Sequence, residues 1–244
     1  MAATYNNLYL DARKRLREAR VEGAPLEARE LVCCAAGKSR EQFYRAMALY
    51  ASDPVEEKLA ELLGRRLAGE PVAYLIGEWE FYGLGLDITP GVLIPGMDTG
   101  GLAERAIRLA RAAGEGARVL DLCAGGGCVG LAVAANVPGC RVVLADVSEA
   151  ALRLCKQNVR RNELNARVTC VQADPLEPPD AALWDFDAIA CNPPYLPTAG
   201  IARPAVRVRG PEPPSPLDRR AAGPAGGPRG LPQGSAPTGT GLCT

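Results

Sequence analysis

The sequence contains no histidine, few aromatic residues and no excess of either charge. Without an imidazole, neither a Ser-His nor a Cys-His nucleophile pair can form. Aromatic residues make up only 5% of the chain. The 28 lysines and arginines balance the 28 aspartates and glutamates of a 244-residue chain. No overall electric field therefore draws the protein to nucleic acid or to a membrane surface.

Long apolar segments are also missing from the sequence. No run approaches the roughly 18 apolar residues that a membrane-spanning helix needs. The first residues, MAATYNNLYLDARKRLR, lack the apolar core of a signal peptide. We therefore expect a cytoplasmic protein with no membrane partner.

The nine cysteines do not form a recognisable metal site. None of them belongs to a CxxC pair, and without histidine a zinc site would need cysteine ligands alone. They are mostly scattered through apolar segments, which is typical of small buried side chains in a reducing compartment. We predict no metal site.

Residues 1–69 are predicted to form a small helical bundle. Leu8, Ala12 and Leu16 recur at helical spacing, and Ser39 with Gln42 resembles a capping box. Further predicted helices cover residues 25–36, 39–50 and 54–68.

Residues 70–97 are rich in aromatic and β-branched residues punctuated by glycine, which predicts a β-hairpin linker. Residues 98–195 then alternate between helical and strand patterns. This alternation predicts an α/β domain with a doubly wound, parallel, Rossmann-type sheet. Ligands of such sheets bind at the carboxyl ends of the strands. The predicted strands are residues 118–122, 141–145, 167–172 and 186–191.

The last 49 residues, 196–244, differ in composition from the rest of the chain. They contain ten prolines, nine glycines and no aromatic residue. Their six arginines exceed their two acidic residues, so this segment carries a net +4 and residues 1–195 a net −4. Such a composition buries too little apolar surface to offset the entropy of ordering. We predict disorder or irregular coil for most of this segment.

The stretch VLDLCAGGGCVGLAVAA, residues 119–135, predicts a cofactor loop between a strand and a helix. Gly125, Gly127 and Gly130 fit the dinucleotide fingerprint. Asp146 closes the next strand about 20 residues further on, where a carboxylate can accept both hydroxyls of a ribose. The pattern leaves NAD(P) and S-adenosylmethionine open. Asp121, at the strand end beside the loop, and the spacing D-x-C-A-G-G-G favour S-adenosylmethionine.

Two further stretches follow predicted strands. In QADPLEP, Asp174 either lies beside an adenine or caps a turn. In AIACNPPYLP, the side-chain carbonyl of Asn192 and the backbone carbonyl of Pro193 are two acceptors held by proline geometry. They can bind both hydrogens of a planar NH₂ group, while Tyr195 stacks on its flat face. This arrangement predicts methyl transfer to an amino or amide nitrogen, achieved by positioning and electrostatics.

The sequence resembles a known family of methyltransferases. D-L-C-A-G-G-G-C-V-G, A-D-V-S and N-P-P-Y are similar to motifs of amino-methyltransferases that depend on S-adenosylmethionine. PVAYLIGEWEFYGLGLDITPGVLIPGMDT resembles, more specifically, the peptide chain release factor N5-glutamine methyltransferases. The resemblance covers about residues 5–195. It implies methylation of the glutamine in the Gly-Gly-Gln motif of class 1 release factors, in support of translation termination.

The resemblance also implies site residues. It places Asn192, Pro193, Pro194 and Tyr195 around the substrate amide, with Asn192, Pro193 and Tyr195 in catalytic roles. Residues implied to contact the cofactor are Asp121, Cys123, Ala124, Gly125, Gly126, Gly127, Asp146, Asp174, Pro175 and Asn192. The N-terminal bundle is implied to recognise the substrate, and we expect a monomer.

The chain departs from the family pattern in two places. Gly96 and Gly100 stand where the family usually has arginine and glutamate, which predicts weaker substrate docking or a less ordered linker. Past residue 195 the similarity fades, as a truncation or a shifted reading frame would cause. The family continues there with a helix and further strands, so we expect Asn192 to lie at an unprotected sheet edge.

Two other functions remain open. One is methylation of an amino group on nucleic acid, such as adenine N6, which uses the same pair of acceptors. The neutral charge and the absence of a basic face in residues 1–195 make a nucleic-acid partner the less favoured prediction. The other is an inactive fragment that at most binds the cofactor.

Overall fold

A computed structural model describes residues 3–175, 177 and 185–193, and the backbone of residues 240–243. The chain divides into two compact units, with the boundary between Gly77 and Glu78. Among the helices in the described ranges, none combines the length and apolar composition that a bilayer span requires.

The first unit is a bundle of helices packed around α2. Leu16, Leu31, Phe43 and Leu62 fill its core and are at most 1% exposed. Arg66 of α4 donates two hydrogen bonds to the carboxylate of Glu27 on α2, at 2.5 and 3.2 Å. The helices are α1 (Tyr5–Glu18), α2 (Ala24–Ala36), α3 (Arg40–Ala46), α4 (Asp53–Leu67) and α5 (Val72–Ile76).

Two details of this unit compare directly with the sequence predictions. The capping box is confirmed, because Ser39 Oγ accepts from Gln42 N and Gln42 Oε1 accepts from Ser39 N. The prediction of hairpin throughout residues 70–97 is wrong at its start, where α5 lies. Four of the five residues of α5 are buried, and Gly77 ends the helix in a left-handed conformation. Burial therefore outweighs the strand preference of this β-branched and aromatic segment.

The second unit contains a two-stranded antiparallel hairpin and a five-stranded sheet with the order β5-β4-β3-β6-β7, in which neighbouring strands are parallel. The predicted Rossmann-type architecture is confirmed. Its elements are β1 (Glu78–Phe81), β2 (Leu84–Asp87), α6 (Met97–Ala113), β3 (Arg118–Leu122), α7 (Cys128–Asn136), β4 (Arg141–Asp146), α8 (Glu149–Arg161), β5 (Val168–Gln172), β6 (Ala188–Cys191) and β7 (Thr240–Cys243).

Side chains alternate between the two faces of the central strand β3. Leu120 packs in a cluster with Ala145 and Phe186, and Leu122 lies against the same cluster. Asp121 points to the opposite face, where its carboxylate meets helix α7. The sequence of one strand thus supplies both a core and a polar contact for a helix.

The sheet extends one strand further than the sequence predicted. β7 pairs with β6 over four residues, so the expectation that β6 lies at an unprotected edge is wrong for the described structure. The pattern could not reveal this strand, because TGLC has no distinctive periodicity and its partner lies about 50 residues away in the sequence.

The glycines that depart from the family pattern lie at the start of α6. Gly96 precedes the helix, and its N–H donates to Thr99 Oγ1 at 3.5 Å. Gly100 lies within the first turns, and its carbonyl accepts from the hydroxyl of Tyr82 at 2.9 Å. A Cβ at Gly100 would have no neighbour within 4 Å.

We expect Gly100→Ala to stabilise the protein by about 0.5–1 kcal/mol, because glycine loses more backbone entropy in a helix than alanine does. Urea unfolding followed by circular dichroism measures the change. The backbone carbonyl that binds Tyr82 is retained in this variant. Unchanged or reduced stability would contradict the helical placement of Gly100.

Candidate functional site

The site lies where the strand order of the sheet reverses. The chain passes from β3 to β4 and β5 on one side, and β6 then pairs on the other side of β3. The topological switch point is therefore between β3 and β6. The cofactor loop, residues 123–127 (the glycine loop), follows β3, and the Asn-Pro-Pro-Tyr stretch follows β6. The two motifs therefore begin on either side of the crevice in which doubly wound sheets bind ligands.

The register of the strands brings three of the predicted site residues to one level. Leu122 of β3 is in register with Ala145 of β4 and with Cys191 of β6. The residues that follow these three are Cys123, Asp146 and Asn192, and they lie at the same edge of the sheet. Across two strand spacings, β4 and β6 are about 10 Å apart.

Asp146 is buried at the end of β4, and both of its carboxylate oxygens accept hydrogen bonds. Oδ2 accepts from Gly125 N and Oδ1 from Ser148 N, each at 2.9 Å. A carboxylate offers about four acceptor positions, so these bonds leave capacity for two hydroxyl donors. The two neighbouring hydroxyls of a ribose can supply these two donors.

In the glycine loop, the backbone at Gly127 lies so close to a neighbouring side chain that a Cβ does not fit. Gly127 has a φ of 82°, which disfavours any side chain, and a Cβ there would lie 2.8 Å from Leu144 Cδ1. Gly130, the third glycine of the fingerprint, lies in α7 against Leu144 and Val142 of β4. Cys123 also adopts a left-handed conformation, with φ 60°. A non-glycine residue rarely does so, and such strain is concentrated at functional sites.

Asp121 has a structural contact that the sequence did not reveal. It is 2% exposed, and its Oδ2 accepts from the N–H of Gly130 at 2.8 Å. Gly130 N is one of the first amides of α7, which have no partner inside the helix. Asp121 therefore holds the start of α7 against β3. Its predicted contact with the cofactor stays a prediction.

Burial raises the pKa of Asp121 to about 7; nearby Asp146 adds to this rise, while the bond from Gly130 opposes it. Because the ordinary value is 3.8, the folded state binds more protons than the unfolded state between pH 4 and 7. Stability therefore decreases as the pH rises through this window. Above it, the cost stays constant.

We expect Asp121→Asn to remove this dependence. Its stability gain over the wild type should increase from near zero at pH 4 to on the order of 4 kcal/mol above pH 7. Urea unfolding at several pH values, with the wild type alongside, measures the difference. A difference that does not change with pH would contradict the raised pKa.

The remaining predicted residues follow the strands β3, β5 and β6 in the sequence. Asp174 and Pro175 follow β5, and Asn192 and Pro193 follow β6; all four are half-buried. A hydrogen bond from Ala173 N to the carbonyl of Asp146 carries the sheet pairing to the residue before Asp174. Ala124 N bonds to the carbonyl of Ala145 in the same way. Pro194 and Tyr195 lie outside the described residues.

One buried polar residue beside the glycine loop was missed in the sequence. Asn158 is fully buried on α8 and donates to the carbonyl of Gly126 at 3.0 Å. Its signal was present, because it occupies the apolar stripe of α8 together with Leu154 and Cys155. A polar residue on an apolar helical stripe needs a buried partner.

Comparison with known proteins defines the class. Residues 105–206 match the methyltransferase small domain, and residues 7–77 match the PrmC N-terminal domain. The solved structure described as the delta-N METTL16 MTase domain is 26% identical, covers 50% of this chain and 56% of its own, and has a TM-score of 0.41. The protein is a methyltransferase. S-adenosylmethionine is confirmed as its cofactor. Among the residues that the structure describes, no group of three or more acidic or cysteine side chains could hold a metal ion.

The relatives define the family. The chain is 39% identical over 209 residues to the release factor glutamine methyltransferase of Geobacter sulfurreducens, covering 83% of this chain and 69% of the relative. It is 34% identical over 221 residues to that of Moorella thermoacetica, covering 91% and 74%. The chain belongs to the family of release factor glutamine methyltransferases, as the sequence motifs predicted.

Proposed function

We propose that this protein methylates the side-chain amide nitrogen of the glutamine in the Gly-Gly-Gln motif of class 1 peptide chain release factors. Family membership supports a release factor as the substrate. The observation that carries the proposal is the common level of Cys123, Asp146 and Asn192 at the switch point. Asp146, the proposed ribose acceptor, and Asn192, the proposed amide acceptor, lie about two strand spacings apart.

The residues proposed to bind the cofactor are the glycines of the cofactor loop, Asp146, Asp174 and Pro175. Bound S-adenosylmethionine supplies a methyl group on a sulfonium, which makes that carbon electrophilic. Asp146 accepts the ribose hydroxyls with the oxygen capacity that its bonds to Gly125 and Ser148 leave. The glycines of the loop keep side chains away from the ligand. Asp174 and Pro175 border the adenine from the end of β5.

The substrate amide is held by the residues that follow β6. Asn192 Oδ1 and the Pro193 carbonyl accept the two hydrogens of the glutamine NH₂ group, and Tyr195 stacks on the amide plane. An amide nitrogen is a weak nucleophile because its lone pair is delocalised. Two fixed acceptors orient this nitrogen and favour the geometry in which its lone pair is available.

The two units take different parts in this proposal. Residues 1–69 recognise the release factor, residues 70–97 link the units and residues 98–195 carry the chemistry. Exposed Tyr44, Leu49 and Tyr50 of the first unit support a protein-binding role. The enzyme acts as a cytoplasmic monomer without nucleic acid, and light scattering during size-exclusion chromatography tests the monomer.

A methyl-transfer assay tests the proposed reaction. The purified 244-residue chain is incubated with methyl-labelled S-adenosylmethionine and a class 1 release factor, and labelled peptides are mapped by mass spectrometry. We expect the label on the Gly-Gly-Gln glutamine and none on a release factor whose glutamine is replaced by alanine. Labelling of the release factor at another residue, or no labelling by a chain that binds the cofactor, would refute the proposal.

Asp146→Ala is expected to weaken cofactor binding by about 10- to 100-fold, because charge-assisted hydrogen bonds to the ribose are lost. Calorimetric titration with S-adenosylhomocysteine measures the dissociation constant. Asp174→Ala is the comparison, since it removes the carboxylate after β5 and leaves Asp146 in place. An unchanged dissociation constant in Asp146→Ala would contradict the ribose role.

A further inference from the structure

Asn158 bonds two separate segments of the second unit at once. Its Oδ1 accepts from Asp87 N at 2.7 Å, and its Nδ2 donates to the Asp87 carbonyl at 3.2 Å and to the Gly126 carbonyl at 3.0 Å. An amide group has two N–H donors, and both have a partner here. Asp87 ends hairpin strand β2, while Gly126 lies in the cofactor loop.

The same helix fixes the orientation of the loop. One turn before Asn158, Cys155 Sγ donates to the carbonyl of Gly125 at 3.1 Å. Two successive carbonyls of the loop therefore point to α8. Because the C=O and N–H of a trans peptide point in opposite directions, the N–H of Gly126 is directed away from α8. Contacts with this helix thus determine which loop groups face the opposite side.

The hairpin is attached to the same stretch of α8. Gln157 donates to the Asp87 carboxylate at 2.7 Å, and Arg161 pairs with Glu78 at 2.6 Å and also with Asp87. Beyond the hairpin, Val92 lies over the loop, since its Cγ1 is 3.5 Å from a Cβ placed at Gly125 or Gly126. The hairpin and the cofactor loop thus share one support.

We infer that Asn158 is a positioning residue that fixes the Gly126 carbonyl and the Asp87 end of the hairpin together, so that these two segments are ordered together. The functional part of this inference rests on the proposed role of the loop in binding the cofactor. Removal of the amide leaves the Gly126 carbonyl and the Asp87 N–H without these partners inside the protein. Both segments then open more often.

Asn162 offers a matched control on the same helix. Its Nδ2 donates to the Gly85 carbonyl of the hairpin at 3.0 Å and to the Asn158 carbonyl at 2.9 Å. Asn162→Ala therefore removes one hairpin bond and leaves the Asn158–Gly126 bond in place. A comparison of the two variants separates loop positioning from hairpin attachment.

The test is residue-resolved amide hydrogen exchange without ligand, at a temperature where circular dichroism shows each variant folded. We expect Asn158→Ala to speed exchange at Asp87, Gly125 and Gly127 by about tenfold or more, and Asn162→Ala to leave the loop within about twofold of the wild type. Unchanged loop exchange in Asn158→Ala, or equal acceleration by both variants, would overturn the inference.

Two further measurements complete the test. If Asn158→Ala does not fold, exchange of the wild type in low guanidinium decides: the Asp87 and loop amides must open with the same free energy, and separate openings overturn the coupling. Titration with S-adenosylhomocysteine should show affinity lowered about tenfold in Asn158→Ala but within about twofold of the wild type in Asn162→Ala. If the wild type itself does not bind, the proposed function fails, while the exchange data still decide the coupling.

Discussion

Replacement of Asn192 by alanine is expected to abolish methyl transfer, a loss of about a thousandfold or more, while cofactor affinity stays within about tenfold of the wild type. The reason is that one of the two acceptors for the substrate amide disappears. The cofactor loop follows β3 and Asp146 ends β4, so both keep their contacts. Single-turnover methyl transfer and titration with S-adenosylhomocysteine measure the two quantities.

Asp146→Ala is the matched comparison for this experiment. It should lower cofactor affinity first, whereas Asn192→Ala should lower transfer at saturating cofactor. Two variants that lose both properties to the same extent would show that the end of β6 and the end of β4 do not have the separate roles proposed. Transfer retained in Asn192→Ala would directly refute the proposed role of Asn192 as an acceptor for the substrate amide.

The second large effect is expected at Gly130. Gly130→Ala should reduce the free energy of unfolding by about 2–3 kcal/mol, even though alanine favours a helix. The added Cβ would overlap Leu144 Cδ2, lie 2.9 Å from Val142 Cγ1 and lie 3.1 Å from Asp121 Cβ. Leu144 and Val142 are at most 1% exposed, so they have little room to move.

Gly126→Ala provides the control for Gly130→Ala. Its Cβ would find its nearest neighbours, Leu154 Cδ2 and Val92 Cγ1, at 3.5 Å, which is ordinary van der Waals contact. We expect its stability to remain within about 1 kcal/mol of the wild type. Urea unfolding of both variants measures this contrast. Equal stabilities would show that α7 does not need the close approach to β4 that the structure describes.

The sequence by itself determined the class of fold, the family and the positions of the two motifs. Alternation of helical and strand periods specified the order from α6 to β6, because each period reflects which side chains share a buried face. The glycines, Asp146 and Asn192 could be selected because each stands directly after a strand. A parallel sheet brings such ends to one edge.

Tertiary structure decided the strand pairing, burial and hydrogen-bond partners that local sequence patterns do not contain. The pairing of β6 with β7 and the burial of α5 depend on partners distant in the sequence. The position of Asp121 at a strand end predicted a ligand contact, and only the structure shows that its carboxylate also accepts from the N–H of Gly130 in the first turn of α7. Asn158 contacts Asp87 and Gly126 only in the folded chain, because these two residues lie 71 and 32 positions before it in the sequence. Hydrogen-bond partners and burial are set by three-dimensional packing, so a single sequence indicates which residues are unusual but not what they contact.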